Sequence, residues 1–365
     1  MSVRSHPFLS IPWRRLGLWL VALLACAGLY ALWQPGAQVT DGRHDRGRNG
    51  MWLQHGWIGD DAWYARYDKE PLKAKLRGPA AARALAAKLR ARHIRDVFPH
   101  LAPSSPAGNL LQPDHAQLEV FLDALDQQRV MPWIGGVYHR DVRADRVRWR
   151  ARFIADAVAL LKRHPRLAGV HLNIEPWPSG DPHLLVLLDE LRAALPAGKT
   201  LSVAAYPPPV PVIGNLKVHW TPAYIQQVAR RVDHMAFMCY DSGLKAKKPY
   251  VALMARWTEL ILDATRGTET LIGLPAYDDH GVPWHSPDVE NLETGMAGVH
   301  QGLLKRGALP EHYQGVALYA EWEMSDAEWS SFARGFLSRD DALPDRVDTP
   351  PDVPLFNRTP PRRAE

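Results

Sequence analysis

Between residues 51 and 337 the chain alternates eight times between a short apolar or β-branched run and a longer run of helical periodicity. No other feature limits the possible folds as much. The short runs fall at 51–57, 96–101, 130–138, 168–176, 201–207, 234–241, 270–277 and 315–322. Each is followed by an amphipathic stretch, at 80–92, 115–128, 147–163, 183–195, 222–231, 251–265, 292–306 and 326–337. Asp114, Asp181, Thr221 and Ser325 precede four of these stretches, where a side-chain oxygen can accept the free amides of a first helical turn. Parallel strands need crossovers of this length, and eight strand–helix units suffice to close a ring. The predicted fold is α/β, a (β/α)8 TIM barrel over residues 50–337. An open doubly wound sheet is the rival, but no glycine-rich phosphate loop follows the first strand.

The two ends differ in composition from this repeat. Residues 16–33 form an uncharged apolar run preceded by Arg14 and Arg15. That is near the shortest helix able to span a bilayer, with Trp19, Tyr30 and Trp33 as interfacial residues. Arginines before the run and none directly after it predict that residues 1–15 stay in the cytoplasm. The barrel then lies in the periplasm or outside the cell, tethered to the inner (cytoplasmic) membrane by one transmembrane helix. A cleaved signal peptide is an alternative, because Ala25-Cys26-Ala27-Gly28 resembles a cleavage region; so is a lipoprotein, because Leu23-Leu24-Ala25-Cys26 resembles a lipobox. Residues 34–49 read as a tether and 338–365 as a disordered, Pro- and charge-rich tail. The net charge of +5 forms no basic stripe, so no nucleic-acid partner is expected. Cys26 and Cys239 lie in different regions, and Cys239 reads as buried filler.

The run Gly169-Val170-His171-Leu172-Asn173-Ile174-Glu175-Pro176 concentrates the candidate chemistry. Residues two apart in a strand share a face, so His171, Asn173 and Glu175 point one way and Val170, Leu172 and Ile174 the other. Polar groups inside an apolar sheet cost free energy unless they are satisfied or used. Barrel enzymes carry their reacting groups where strands end at the C-terminal face. The other predicted strand ends offer Trp57, Tyr206, Tyr240 with Asp241, Tyr277 with Asp278 and Asp279, and Trp322, with Trp177 just past Glu175. Aromatic rings around a carboxylate suit a sugar, whose C–H faces stack on indole and phenol. Tryptophan is also an ordinary core residue, so about half of those near strand ends are expected to pack internally. The histidines are scattered, no His-Glu-x-x-His or Gly-x-Ser-x-Gly pattern occurs, and no metal or other cofactor is predicted.

These residues carry a family resemblance. The chain resembles a divergent member of the family 18 glycoside hydrolases, the chitinase and chitinase-like barrels, over about residues 51–337. The third-strand motif Ser-x-Gly-Gly is matched in its glycine pair by Trp133-Ile134-Gly135-Gly136. The fourth-strand motif Asp-x-x-Asp-x-Asp-x-Glu aligns with Ala168 through Glu175, keeping only the Glu; Ala168, His171 and Asn173 replace the aspartates. Met-x-Tyr-Asp of the sixth strand is intact as Met238-Cys239-Tyr240-Asp241, and Trp322 corresponds to a Trp near the last strand. Asn173 two residues before Glu175 is similar to the family 85 endoglycosidases.

The resemblance implies catalysis by Glu175, Asn173 and Tyr240. Glu175 would protonate the leaving oxygen, Asn173 would orient a 2-acetamido group and Tyr240 would hold its carbonyl. Asp241, Trp322, His171, Trp57, Trp177, Tyr206 and Tyr277 are the expected glycan contacts. Glu175 needs a raised pKa, so His171 is expected to be neutral and to hydrogen-bond Asn173 from deeper in the barrel. The expected activity is hydrolysis of a glycan or polysaccharide with 2-acetamido sugars. The alternatives are a non-catalytic glycan-binding barrel and a two-carboxylate retaining glycosidase using Asp278 or Asp279.

Overall fold

A computed structural model describes residues 13–338, apart from 60, 67, 102, 212–217 and 282. The N-terminal residues 1–12 and most of the predicted tail (339–365) lie outside the described residues. The chain divides into two compact units, Met1–Pro35 and Gly36–Glu365. In the first, Trp13–Leu32 is one α-helix whose window Arg15–Leu32 has a mean hydropathy of 1.8 and no buried share. By length and composition it can cross a bilayer.

The second unit is the barrel. Its strands are β1 (Asn49–Leu53), β2 (Ile94–Pro99), β3 (Arg129–Val130), β4 (Trp133–Val137), β5 (Gly169–Glu175), β6 (Thr200–Ala205), β7 (His234–Phe237), β8 (Glu269–Pro275) and β9 (Tyr313–Tyr319). All pairings are parallel, in the order β3-β2-β1-β9-β8-β7-β6-β5-β4. The two edges, β3 and β4, are one barrel strand interrupted at Met131-Pro132, because proline has no amide to give to a ladder. That strand bonds β2 through Met131 N–H to Val97 O (3.0 Å), and the residues just after β2 through Leu101 N–H to Trp133 O (2.9 Å). On its other side His171 N–H reaches Pro132 O (3.0 Å), so the ring closes. The helices follow the predicted rhythm, and Val147–Arg163 and Leu292–Arg306 match their predicted bounds. Asp114, Asp181, Thr221 and Ser325 cap helices as expected.

Strand alternation sorts the core into two layers. Val170, Leu172 and Ile174 join the large cluster between strands and helices. The barrel's inside holds a smaller one, Trp52, Phe98, Met131, Ala236, Leu271 and Ala317, with Trp133, Ala168 and Tyr319 packed against it. His171, Ser202 and His234 share that interior, all three fully buried. Trp52 Nε1–H donates to His171 Nε2 (3.2 Å), which leaves the His171 Nδ1–H to donate to Ser202 Oγ (2.7 Å). The Ser202 hydroxyl then donates to His234 Nδ1 (2.7 Å). Burial holds the pKa of His171 well below the usual histidine range and that of His234 at about 3, so both rings are neutral.

Residues 36–48, read from composition as a tether, run against the barrel. Gly36 N–H bonds Gln301 (2.6 Å), the His44 and His300 rings meet at 2.7 Å, and the Asp45 carboxylate accepts from Asn49 and Ser338. His44, Arg46 and Arg48 hydrogen-bond the barrel's flank, while Asp41 and Arg43 pair with each other.

Gly135 is where backbone approach demands glycine. It has φ +134° beside Asn173, and an added Cβ would lie 2.0 Å from the Asn173 carbonyl oxygen. Gly135→Ala is expected to destabilise the chain by at least about 3 kcal/mol, through left-handed strain and overpacking together. Gly198→Ala, at φ +76° with nothing within 4 Å of the new Cβ, should cost only about 1–2 kcal/mol. Denaturant unfolding of the two variants checks the difference.

Candidate active site

β5 delivers Asn173 and Glu175 to the C-terminal mouth of the barrel. Asn173 Nδ2–H donates to Glu175 Oε1 (2.8 Å) and the Tyr206 hydroxyl to Glu175 Oε2 (3.2 Å). Glu175 keeps part of its surface open while protein atoms crowd the rest. No guanidinium or ammonium pairs with it among the described residues. Burial raises its pKa; the bonds from Asn173 and Tyr206 lower it in part, and the charge of Asp241 raises it further. A carboxyl with these surroundings stays protonated above the ordinary carboxylate range. Asn173 is 5% exposed and its Oδ1 has no hydrogen-bond partner among the described residues. An orphaned buried acceptor costs about 1–3 kcal/mol, which an N–H donor arriving from outside would recover.

Tyrosines line the mouth. Tyr240 stacks on Tyr319 (ring centroids 5.3 Å apart), and Tyr277 meets both edge-on at 5.8 and 5.4 Å. Trp322 packs edge-on against Tyr319 at 5.5 Å. Burial drives the Tyr240, Tyr277 and Tyr319 hydroxyls far above the usual phenol range, so all three remain donors. Asp241, at φ +60°, accepts from the Tyr277 hydroxyl. The structure thus brings together Glu175, Asn173, Tyr206, Tyr240, Tyr277 and Asp241, with Trp322 at the edge.

Three predicted contacts do not reach the mouth. Trp57 sits in a single 3-10 turn, His55–Trp57, because β1 ends at Leu53. It is buried against Phe121, and its Nε1–H donates to Glu321 Oε2 (3.2 Å). Trp177 is 1% exposed and stacks on Tyr138 at 4.6 Å. The chain turns outward after Glu175, so the indole joins the layer between strands and helices. His171 is neutral as expected, but its partners are Trp52 and Ser202 instead of Asn173, and it is sealed beneath the mouth.

Sequence reasoning overlooked Tyr319, the last residue of β9 and the ring that joins Tyr240, Tyr277 and Trp322. Strand parity could have found it, since residues 315, 317 and 319 share the inward face. Asp278 and Asp279 are exposed, whereas burial raises the pKa of Glu321.

The carboxyl of Glu175 is expected to titrate above 4.5 in a carbon NMR pH series with labelled glutamate. Tyr206→Phe removes a bond to the charged form and should move that midpoint upward. Asp241→Asn removes a neighbouring negative charge and should move it downward. Shifts opposite in sign would show that burial and Asp241 do not control this group.

No protein-family model and no curated sequence matches the chain, whereas solved structures do. The spore cortex-lytic enzyme SleL of Bacillus megaterium aligns with a TM-score of 0.55 and 10% identity, over 80% of this chain and 75% of that one. SleL of Bacillus cereus aligns at 0.52 and 11%, over 79% and 74%. A chitinase from Chromobacterium violaceum aligns at 0.51 and 14%, over 79% of this chain and 98% of that one. The chain therefore has the barrel fold of these chitinase and cortex-lytic neighbours, built on a sequence far removed from theirs.

Proposed function

We propose that the protein is a membrane-anchored glycoside hydrolase that cleaves a glycan containing 2-acetamido sugars outside the cytoplasm, with the substrate's own acetamide as nucleophile. The observation that carries this reading is the pairing of Glu175, raised in pKa, with Asn173, which gives its amide N–H to Glu175; among the described residues no cation pairs with Glu175 and Asn173 Oδ1 has no partner. An acetamide N–H is the donor that such an oxygen would accept. Its carbonyl oxygen would then face the anomeric carbon, with the Tyr240 hydroxyl donating to it.

In the first step that oxygen bonds the anomeric carbon as the glycosidic bond breaks, and Glu175 gives its proton to the leaving oxygen. An oxazolinium ion forms. In the second step the Glu175 carboxylate takes a proton from water, the water oxygen bonds the anomeric carbon and the acetamide is released, with retained configuration. Asn173 is neutral, so it orients the acetamide by hydrogen bonding without adding charge. Stacking on the tyrosines and Trp322 would hold the sugar faces. The neighbours' chitinase and cortex-lytic names support a glycan as the substrate class. The helix Trp13–Leu32, with Arg14 and Arg15 in its first turn ahead of the apolar run, supports the anchor and its orientation.

The full-length chain in detergent should hydrolyse acetamido-sugar oligomers, and Glu175→Gln should lose at least about 10²-fold in kcat while still binding them. A thiazoline that mimics the cyclised acetamide should inhibit the wild type competitively. Hydrolysis without thiazoline inhibition would replace this route with a two-carboxylate one. Binding with no turnover of any such oligomer would make the barrel a glycan-binding protein. Retained activity in Glu175→Gln would move the acid elsewhere, with Glu321 first in line.

A further inference from the structure

We propose that Asp241, His285 and Glu290 form a binding site for one divalent transition-metal ion of the zinc class at the rim of the barrel mouth. This inference does not rest on the hydrolase reading, although Asp241 is common to both sites. Asp241 follows β7, and His285 and Glu290 lie in the loop after β8. One ligand atom from each lies within 4.8 Å of the other two. His285 Nδ1 is 3.1 Å from Asp241 Oδ1 and 3.9 Å from Glu290 Oε2. Two ligands bound to zinc at 2.0–2.1 Å in tetrahedral geometry stand about 3.3 Å apart. The two His285 spacings lie within about 0.6 Å of that value, and the third has at most about 1.5 Å to close.

The second observation concerns the imidazole. His285 is 3% exposed, and its Nδ1 has no hydrogen-bond partner among the described residues. Its other nitrogen, Nε2, faces the Tyr277 carbonyl at 3.4 Å and is the one that donates. In the neutral ring Nδ1 presents a lone pair toward two carboxylate oxygens, an arrangement that repels until a positive charge enters. A divalent cation would be neutralised by the two carboxylates. An imidazole in the ligand set favours the zinc class over calcium or magnesium.

The surroundings hold each ligand in place. Glu290 Oε2 accepts from Ser242 N–H (3.0 Å), while its Oε1 accepts from Ser242 Oγ (2.8 Å) and Gly243 N–H (3.1 Å). Tyr277 gives its hydroxyl to Asp241, and its ring stacks on His285 at 4.1 Å. Outer contacts of this kind fix ligand orientation in metal sites. Asp241 is exposed, which leaves an entry path and an open coordination position. The ion would rivet the loop after β7 to the one carrying Trp284, an indole 54% exposed beside His285.

The test uses the full-length chain in detergent, stripped with a chelator and titrated with zinc against a chromophoric competitor. One equivalent should bind and raise the melting temperature, as any ligand of the native state does. His285→Ala and Asp241→Asn should each weaken binding at least about tenfold. Near-UV circular dichroism would confirm that the variants fold, and exposed Asp241 keeps the test open if His285→Ala does not. X-ray absorption should find nitrogen and oxygen ligands at about 2.0–2.1 Å with an imidazole signature. No bound equivalent overturns the proposal; so does binding that ignores both substitutions, or a spectrum without imidazole.

Discussion

The pleat of β5 inside a closed ring is the constraint on which the rest of the molecule depends. One face of that strand is apolar and packs outward beneath the helices. The other sends His171, Asn173 and Glu175 into the barrel in succession, from depth to mouth. Closure leaves no edge where these groups could reach water, so each must find a partner or use its exposure at the open end. His171 is satisfied by Trp52 and Ser202 and becomes structural. Among the described residues Asn173 is satisfied on its nitrogen alone, and Glu175 lies where burial raises its pKa. Depth separates the three roles.

The mouth turns this geometry into a coherent electrostatic site. Glu175 is surrounded by tyrosines and one carboxylate, and none of these stabilises its anion strongly enough to undo burial. The tyrosines remain protonated, so they supply donors and ring faces without charge. A neutral, aromatic, donor-rich surface around an acid of raised pKa fits an uncharged polyol better than a phosphate or a metal-bound substrate. Of the three groups that could take a metal, Asp241 also borders the mouth, whereas His285 and Glu290 lie farther out in the loop after β8.

Much of this was legible before folding was considered. The alternation of runs marked eight strand–helix units, and the polar row on the fourth predicted strand singled out Asn173 and Glu175. Tyr206, Tyr240, Asp241 and Tyr277 were readable because each closes or just passes a predicted strand. Less legible were positions that depend on where a strand stops. β1 ends four residues before Trp57, and the turn that follows rotates the indole into the outer layer. β9 ends at Tyr319, so that ring, and not Trp322 alone, meets Tyr240. Residues 36–48 carry the composition of a linker yet lie on the barrel, because hydrogen bonds to Gln301 and His300 need no apolar pattern.

Periodicity alone determined the class of fold, the face on which the acid stands and an N-terminal helix long enough to cross a bilayer. These follow from local spacing, which any chain segment carries within itself. Only the tertiary structure decided which aromatic rings reach the mouth, which side chains satisfy His171 and Asn173, and that Asp241, His285 and Glu290 converge. Those contacts join residues tens of positions apart, and ring closure with loop packing sets their distances; no repeat along the sequence encodes them.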